Sequence, residues 1–371
     1  MTRLAAVAFA TAASLFRGPV CWGPVFSAGV FSAAVFAAAV FPAGVFAAGV
    51  FFAAVPATAQ APAPGPSAGS CVLIDTDFDI DDMMTIPTVI GARHVAAVVA
   101  TEGYTVPALG APAVEHLIDH PGQRAIPVIV GAATERSEAD IAATFGDYVL
   151  DYRALMSRVN NALPAALPPA APDDEVRRVS EAVAGCTRVD VLILGPFSSF
   201  AGYSPAIRPK IGRVVITGRP PAGDAELEAG ESFNCVYDRA SCEQVFDRQL
   251  PGLDHVFVDV PRTDCDTTPN KPGCQGRVYG PTLAMAQQLA PTGLPGSLRQ
   301  ILLDDSATWA LDTWERSGYG GRTMFWDQST ALALLDPALF RPVGAHLETV
   351  LSPQEFQRAW VEYTNLSVSY R

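Results

Sequence analysis

The chain has 371 residues, with 25 Lys or Arg and 38 Asp or Glu, giving a formal net charge of −13 at pH 7. This acidic balance argues against a nucleic acid as partner, because nucleic acid-binding proteins carry clustered basic side chains. There are seven cysteines. Loss of Cys21 with a cleaved leader would leave an even number, which is compatible with disulfides in an exported protein.

The first 61 residues differ in composition from the rest of the chain. Arg3 and Arg17 are their only charged side chains, and Val-Phe recurs every five residues from position 25. A basic start, an apolar middle and a small-residue end predict an export signal over residues 1–61. Residues 25–55 are also long and apolar enough for a membrane anchor, so both interpretations stay open.

Residues 62–70 predict a Pro/Ala/Gly-rich linker, and residues 71–371 predict one folded domain. Within that domain, apolar strand-like runs alternate with helix-like runs. The predicted strands are 71–74, 95–101, 126–130, 189–194, 214–217 and 255–260. The predicted helices are 83–91, 112–120, 141–158, 174–184 and 239–248. This alternation predicts a Rossmann-like α/β fold, with one open, mostly parallel sheet and helices on both faces.

The cysteines of this domain suggest three disulfide pairs. Cys235 with Cys242 and Cys265 with Cys274 are close in sequence, and Cys71 and Cys186 each precede a predicted strand. Other connectivities stay open, because spacing alone does not determine pairing.

Five aspartates fall within residues 75–82, directly after the first predicted strand. In open α/β sheets, ligands bind beyond the carboxyl ends of the strands. Five like charges this close repel one another unless a cation or protons offset them. A hard divalent cation with oxygen ligands is the favoured interpretation, and Ca²⁺ is preferred to Mg²⁺ if the protein supplies most ligands. A solvated acidic turn is the alternative.

Two other acidic motifs fit this run less well. Counted from Asp75, an EF-hand would need Gly and Glu where Ile80 and Ile86 stand. Asp75 and Asp77 also resemble the Asp-x-Asp start of haloacid-dehalogenase-like phosphatases, and residues 304–305 offer a later acidic pair. That alternative is weaker, because both lysines of the chain lie in loop-like segments.

The run 74–82 resembles the N-terminal signature of the inosine-uridine preferring nucleoside hydrolases, a strand followed by Asp-x-Asp-Pro-Gly-x-Asp-Asp. Five further segments resemble motifs of this family in the same order, namely 126–132, 192–199, 214–218, 231–240 and 326–337. The resemblance implies a nucleoside hydrolase-like fold and Ca²⁺-dependent hydrolysis of the N-glycosidic bond of nucleosides. It also implies a homodimer or homotetramer.

The resemblance further implies roles for individual residues. Ca²⁺ would be held by Asp77, Asp82, Asp327 and the main-chain carbonyl of Leu194. Asp77 and Asp81 would be the catalytic residues, with Asp77 taking a proton from the metal-bound water and Asp81 binding a ribose hydroxyl. Substrate contacts would come from Asp81, Tyr104, Thr217, Glu231, Asn234 and Trp326. Two alternatives stay open: Asp327 as a helix cap and Trp326 as a core residue.

The chain departs from the family pattern at several positions. Phe78 and Asp79 replace the Pro-Gly of the signature, which would add bulk and charge beside the metal, and Tyr104 stands where Asn is expected after Gly. Ser232 stands where Glu is expected, with Glu231 displaced by one position. Because the departures fall on sugar and base contacts, they predict retained metal binding with altered substrate preference. A non-catalytic protein that binds a nucleoside or sugar is the alternative.

Overall fold

The computed structural model describes residues 69–120, 123–134, 136–146, 148–159, 172–221, 232–263, 273, 276–303 and 324–369. Its centre is an eight-stranded sheet in the order β3-β2-β1-β4-β5-β6-β8-β7. The strands are β1 Ser70–Thr76, β2 Val95–Ala100, β3 Val128–Val130, β4 Arg188–Ile193, β5 Ile211–Thr217, β6 His255–Val258, β7 Phe340–Val343 and β8 His346–Thr349. All pairings are parallel except that of β7 with β8. The predicted α/β architecture is confirmed.

Helices connect these strands. They are α1 Ile80–Ala92, α2 Pro107–Ile118, α3 Glu138–Phe145, α4 Tyr148–Val159, α5 Pro172–Ala182, α6 Ser198–Ile207, α7 Phe233–Tyr237, α8 Arg239–Gln244, α9 Leu283–Ala286, α10 Gly293–Leu303, α11 Trp326–Leu335 and α12 Pro353–Asn365. A π-helical turn, Val245–Gln249, continues α8. Short 3₁₀ turns span Arg208–Lys210, Pro337–Leu339 and Leu366–Ser369.

Two sequence predictions about these elements were wrong. The single helix predicted over 141–158 is split into α3 and α4, because Gly146 ends α3 with a φ of +74°. Glycine adopts that conformation without steric cost and commonly terminates helices. The β7–β8 hairpin was missed, because β7 is short and contains Pro342, a residue that weakens a strand prediction.

The central strand β1 is buried along its whole length, since helices cover both faces of the sheet. Val72 and Ile74 pack into one apolar cluster, which includes residues of α1, α2 and α11. Cys71 and Leu73 point the other way and pack with residues of α5 and α6. Burial on both faces explains why β1 is nearly continuously apolar until Asp75.

Two of the predicted disulfide pairs are present. Cys71 and Cys186 join β1 to the start of its neighbour β4, with Cα atoms 5.8 Å apart. Cys235 and Cys242 join α7 to α8, with Cα atoms 5.2 Å apart. Residues 265 and 274 lie outside the described residues, so the third pair stays a prediction.

The predicted leader also lies outside the described residues, which begin at Gly69. The export signal, the membrane anchor and the linker therefore stay predictions. Among the helices that are described, none is both long enough and apolar enough to cross a bilayer.

Candidate active site

A cavity of about 250 Å³ opens at the carboxyl edge of the sheet. It lies where β2 and β3 continue to one side of β1 and β4 to β6 continue to the other. Such a switch in strand order leaves a crevice that binds ligands in open α/β folds. The predicted site residues that line the cavity are Asp77, Asp81, Asp82, Tyr104, Leu194, Thr217, Asn234, Trp326 and Asp327. Glu231 lies outside the described residues.

The first turn of α1 holds two carboxylates in the cavity. The helix begins at Ile80, three residues before the predicted start, because Asp79 caps it. The Asp79 carboxylate accepts hydrogen bonds from the backbone N–H groups of Asp81 at 2.9 Å and Asp82 at 3.4 Å. In return, Asp79 N–H donates to the Asp82 carboxylate at 3.0 Å. This reciprocal cap fixes Asp82, and the helix dipole favours negative charge there.

Phe78 turns the chain between β1 and α1 with a φ of +51°. The sequence suggested that its bulk would stand beside the metal. Instead, its side chain is buried in the apolar core and does not line the cavity. A hydrogen bond from the Thr105 hydroxyl to the Phe78 carbonyl, at 2.9 Å, stabilises this turn. Left-handed backbone at a bulky residue costs about 1–3 kcal/mol and is typical of functional sites.

Asp327 joins the same cluster from the other end of the domain. One carboxylate oxygen from each of Asp79, Asp81, Asp82 and Asp327 lies within 4.8 Å of the others. The reason is that α11 packs against α1 and begins at the same edge of the sheet. Gln328 also links the two helix starts, because its side-chain amide donates to the Asp81 carbonyl at 3.3 Å. Asp79 was not among the predicted ligands.

Asp77 lines the same cavity but lies outside that group of four carboxylates. Its carboxylate accepts a hydrogen bond from the backbone N–H of Tyr104 at 2.9 Å. A side chain at Gly103 would collide with this carboxylate, so the close approach needs glycine.

Leu194 presents its main-chain carbonyl from the other side of the crevice, directly after β4. The side-chain amide of Asn234 donates a hydrogen bond to this carbonyl. Asn234 also lines the cavity, and its predicted contact with the sugar stays a prediction. A carbonyl oxygen has two lone pairs, so Leu194 keeps the capacity to bind a cation.

Aromatic side chains form the wall of the cavity next to Asp77. Tyr104 stacks on Phe233 with ring centroids 4.3 Å apart, and Tyr152 lies 4.7 Å from Tyr104 in a tilted arrangement. Trp326 lines another part, with the Arg262 guanidinium 5.6 Å from its ring centroid. Among the described lining residues, sequence analysis missed Asp79, Tyr152, Gly218, Arg219, Ser232, Phe233 and Arg262 as cavity residues. Asp79 lies within the acidic run, and Gly218, Ser232 and Phe233 lie within segments that resemble family motifs, whereas Arg219 and Arg262 lie in neither.

The carboxyl groups in the cavity hold protons more tightly than ordinary carboxyl groups do when no cation is present. Burial, followed by repulsion from neighbouring carboxylates, raises the pKa of Asp77, Asp79, Asp81 and Asp327 well above its ordinary value. Burial also raises the pKa of Asp82, and hydrogen bonds from Thr76 and Asp79 oppose this shift. A donor set of buried carboxylates and a carbonyl fits a hard divalent cation, which would replace these protons.

Asp75 is separated from this chemistry. It is fully buried, does not line the cavity, and accepts a hydrogen bond from the Tyr203 hydroxyl at 3.0 Å. A phosphatase of the haloacid-dehalogenase type would use Asp75 and Asp77 together at the substrate. The position of Asp75 therefore argues against that alternative, and residues 304–305 lie outside the described residues.

The raised pKa values predict how stability depends on pH. Because the folded protein holds protons on these carboxylates that the unfolded chain would release, its stability without a cation falls as pH rises above the usual carboxyl range. We expect the Tm of chelator-treated protein to drop between pH 5 and pH 8. Calcium should raise Tm more at pH 8 than at pH 5, since fewer protons compete with it. Equal calcium effects at both pH values, measured by scanning calorimetry, would contradict this.

Thr217 provides a second prediction. It was expected to contact substrate, but its hydroxyl donates to the Asp327 carboxylate at 2.9 Å from the end of β5. Removal of a side chain that orients a metal-ligating carboxylate typically lowers metal affinity by about 10–100-fold. Thr217→Val should therefore weaken calcium binding in a calorimetric titration by about that factor, whereas Thr217→Ser should preserve it. Unchanged calcium affinity with a raised KM would instead show a substrate contact.

Comparison with known proteins places this site in a family context. Residues 72–366 match the sequence model of the family described as inosine-uridine preferring nucleoside hydrolase. A plant nucleoside hydrolase, PpNRh1, is 18% identical with a TM-score of 0.52 and covers 81% of this chain and 100% of its own. A purine-preferring ribonucleoside hydrolase from Gardnerella vaginalis is 17% identical with a TM-score of 0.51, and the match covers 80% of this chain and 98% of the hydrolase. The type III effector XopQ, solved with adenosine diphosphate ribose, is 14% identical with a TM-score of 0.53, and the match covers 81% of this chain and 93% of XopQ. No curated protein sequence matches the chain.

Proposed function

Because the chain belongs to the inosine-uridine preferring nucleoside hydrolase family, we propose that it catalyses Ca²⁺-dependent hydrolysis of the N-glycosidic bond of nucleosides or related N-ribosides. One observation carries this proposal. Buried carboxylates from both ends of the domain converge at the crevice, with Asp82 and Asp327 within one group. Neither the helix-cap interpretation of Asp327 nor a solvated acidic turn accounts for that convergence.

The cation would be held by Asp77, Asp82, Asp327 and the Leu194 carbonyl, and the position of Asp79 makes it a further candidate ligand. Ca²⁺ suits this set better than Mg²⁺, because most ligands would come from protein. When bound, the cation lowers the pKa of a coordinated water and offsets the negative charge of the cluster.

Asp77 is the proposed general base. The Tyr104 N–H orients its carboxylate, and this carboxylate lies in the cavity beside the other proposed cation ligands. A carboxylate within hydrogen-bonding reach of a cation-bound water can accept a proton from it. Asp81 would bind a ribose hydroxyl.

Cleavage of an N-glycosidic bond builds positive charge on the sugar, as in glycoside hydrolysis. The carboxylates around the crevice stabilise that charge, because they are fixed in a buried setting before the reaction begins. Trp326, Tyr104 and Phe233 offer aromatic surface for the base, which is the leaving group. No histidine is found among the described residues that line the cavity, so the acid that protonates the leaving group is not assigned.

The proposal is tested by incubating the purified protein with inosine, adenosine, uridine and p-nitrophenyl riboside. We expect release of free base or nitrophenol from at least one substrate, loss of turnover with a chelator, and recovery with calcium. If calorimetry shows tight nucleoside binding without product after long incubation, the protein is a binding homologue and the proposed activity is wrong.

We also propose that the protein is exported and forms a homodimer or homotetramer. The two disulfides favour an oxidising compartment. Mass spectrometry of the native chain would show whether the leader is cleaved or retained as an anchor. Light scattering would give the oligomeric state.

A further inference from the structure

Two arginines line the same cavity as the carboxylates and the aromatic side chains. Arg219 follows β5 and Arg262 follows β6, and they are the only positively charged residues among the described lining residues. Their side chains are 40% and 45% exposed. The proposed hydrolysis of a nucleoside assigns no role to either.

A buried carboxylate holds both guanidinium groups. Asp259 is fully buried and accepts from Arg219 Nε at 2.7 Å and from Arg262 Nη2 at 3.1 Å. Glu348 lies 4.0 Å from Arg219 Nη2, beyond hydrogen-bonding distance, and pairs more closely with His346 at 3.0 Å. One buried carboxylate therefore positions two guanidinium groups. Each guanidinium has five N–H donors, and Asp259 uses only some of them, so both arginines keep donors for a ligand.

The strand order sets where these arginines lie relative to the other groups. Along the carboxyl edge, Tyr104 follows β2, Asp77 follows β1, Leu194 follows β4, and the arginines follow β5 and β6. At about 4.8 Å per strand, the edge from β2 to β6 spans roughly 19 Å, which is longer than a nucleoside. In strand order, the edge thus presents Tyr104, then Asp77 and the Leu194 carbonyl, and then the two arginines.

We infer that the ligand is a phosphorylated N-riboside, such as a nucleoside 5′-phosphate, and that Arg219 and Arg262 bind its phosphate. This inference rests on the proposed function. The base lies against the aromatic wall, the ribose lies over the carboxylates, and the phosphate reaches the arginines. Arginine suits this task, because its planar fork matches phosphate oxygens bidentately. The Arg262 guanidinium also lies over the ring of Trp326, which lines the same cavity.

The test compares inosine with inosine 5′-monophosphate as substrates of the full chain in calcium. We expect kcat/KM to be at least tenfold higher for the monophosphate. Arg219→Gln and Arg262→Gln should each reduce that preference by about ten- to a hundredfold, the range for a charged hydrogen bond. Each variant leaves Asp259 paired with the other arginine, and Tm measurements check that it folds.

Arg213 provides the matched control. It lies near the opposite end of β5 and pairs with Asp254 at 3.6 Å, away from the cavity. Arg213→Gln should keep the wild-type preference. If inosine is cleaved as well as its monophosphate, the phosphate site is wrong while the nucleoside hydrolase function stands. If the variants keep the preference, the arginines do not bind phosphate.

If neither compound is cleaved, the proposed function fails, and calorimetry decides on the phosphate site. Tighter binding of the monophosphate than of inosine, lost in Arg219→Gln, would support it. Equal affinities would overturn it. An arginine contact with the edge of the base would weaken inosine and its monophosphate equally in the variants, which also contradicts the inference.

Discussion

Asp77→Asn should lower kcat for N-riboside hydrolysis by about 10²–10⁴-fold, the range for loss of a positioned general base. Asparagine keeps the size of the side chain and an oxygen that can accept the Tyr104 N–H bond. The variant should therefore fold normally. Asparagine cannot take a proton from water at neutral pH, so the loss of activity should appear in steady-state kinetics at saturating calcium.

The control for this variant is Asp247→Asn, which removes an exposed carboxylate outside the cavity and should leave kcat unchanged. Calcium titration of Asp77→Asn separates two roles. Weaker calcium binding together with lower kcat would show that Asp77 is a ligand as well as a base. Activity close to wild type at saturating calcium would exclude Asp77 as the base.

Asp327→Asn should remove high-affinity calcium binding and, with it, activity. Asp327 is the group member that comes from the far end of the domain, and Thr217 holds its carboxylate in place. Calcium present at a hundredfold excess over its Kd stabilises a protein by about 2.7 kcal/mol. That stabilisation should be lost in the variant, as measured by Tm with and without calcium.

The same variant should change the cation-free protein in the opposite direction. Repulsion from Asp82, Asp79 and Asp77 contributes to the raised pKa of Asp327, so a neutral amide there relieves repulsion. Without calcium at pH 8, the Tm of Asp327→Asn should exceed that of wild type. The control is Asp336→Asn, at the other end of α11. This variant should keep the stabilisation by calcium and should not raise the Tm of the cation-free protein at pH 8. A variant that still gains full stability from calcium would show that Asp327 is not a ligand.

The parts of the site that could be predicted from sequence are those with a local pattern. The acidic run from Asp75 to Asp82 follows an apolar strand, so both its strand and its place at the sheet edge could be inferred. The start of α1 was placed too late, because the cap by Asp79 was not recognised within a run of similar residues. Asp327 was inferred only through a family resemblance, since no local pattern links it to residues so far away in sequence.

The remaining parts depend on tertiary contacts. Arg219 and Arg262 reach the cavity because β5 and β6 lie side by side, an order that periodicity does not give. Thr217 was placed near substrate, but only the packing of α11 on β5 shows that its hydroxyl meets Asp327. Phe78 shows the same limit, because the direction of its side chain depends on a backbone φ of +51°.

The most direct measurement is a crystal structure of the protein grown with calcium and located by anomalous scattering. We predict one calcium ion within 2.3–2.6 Å of carboxylate oxygens of both Asp82 and Asp327, the usual range for such ligands. An ion bound to only one of these two residues, or no ion at this edge of the sheet at millimolar calcium, would contradict the shared site and the hydrolytic function derived from it.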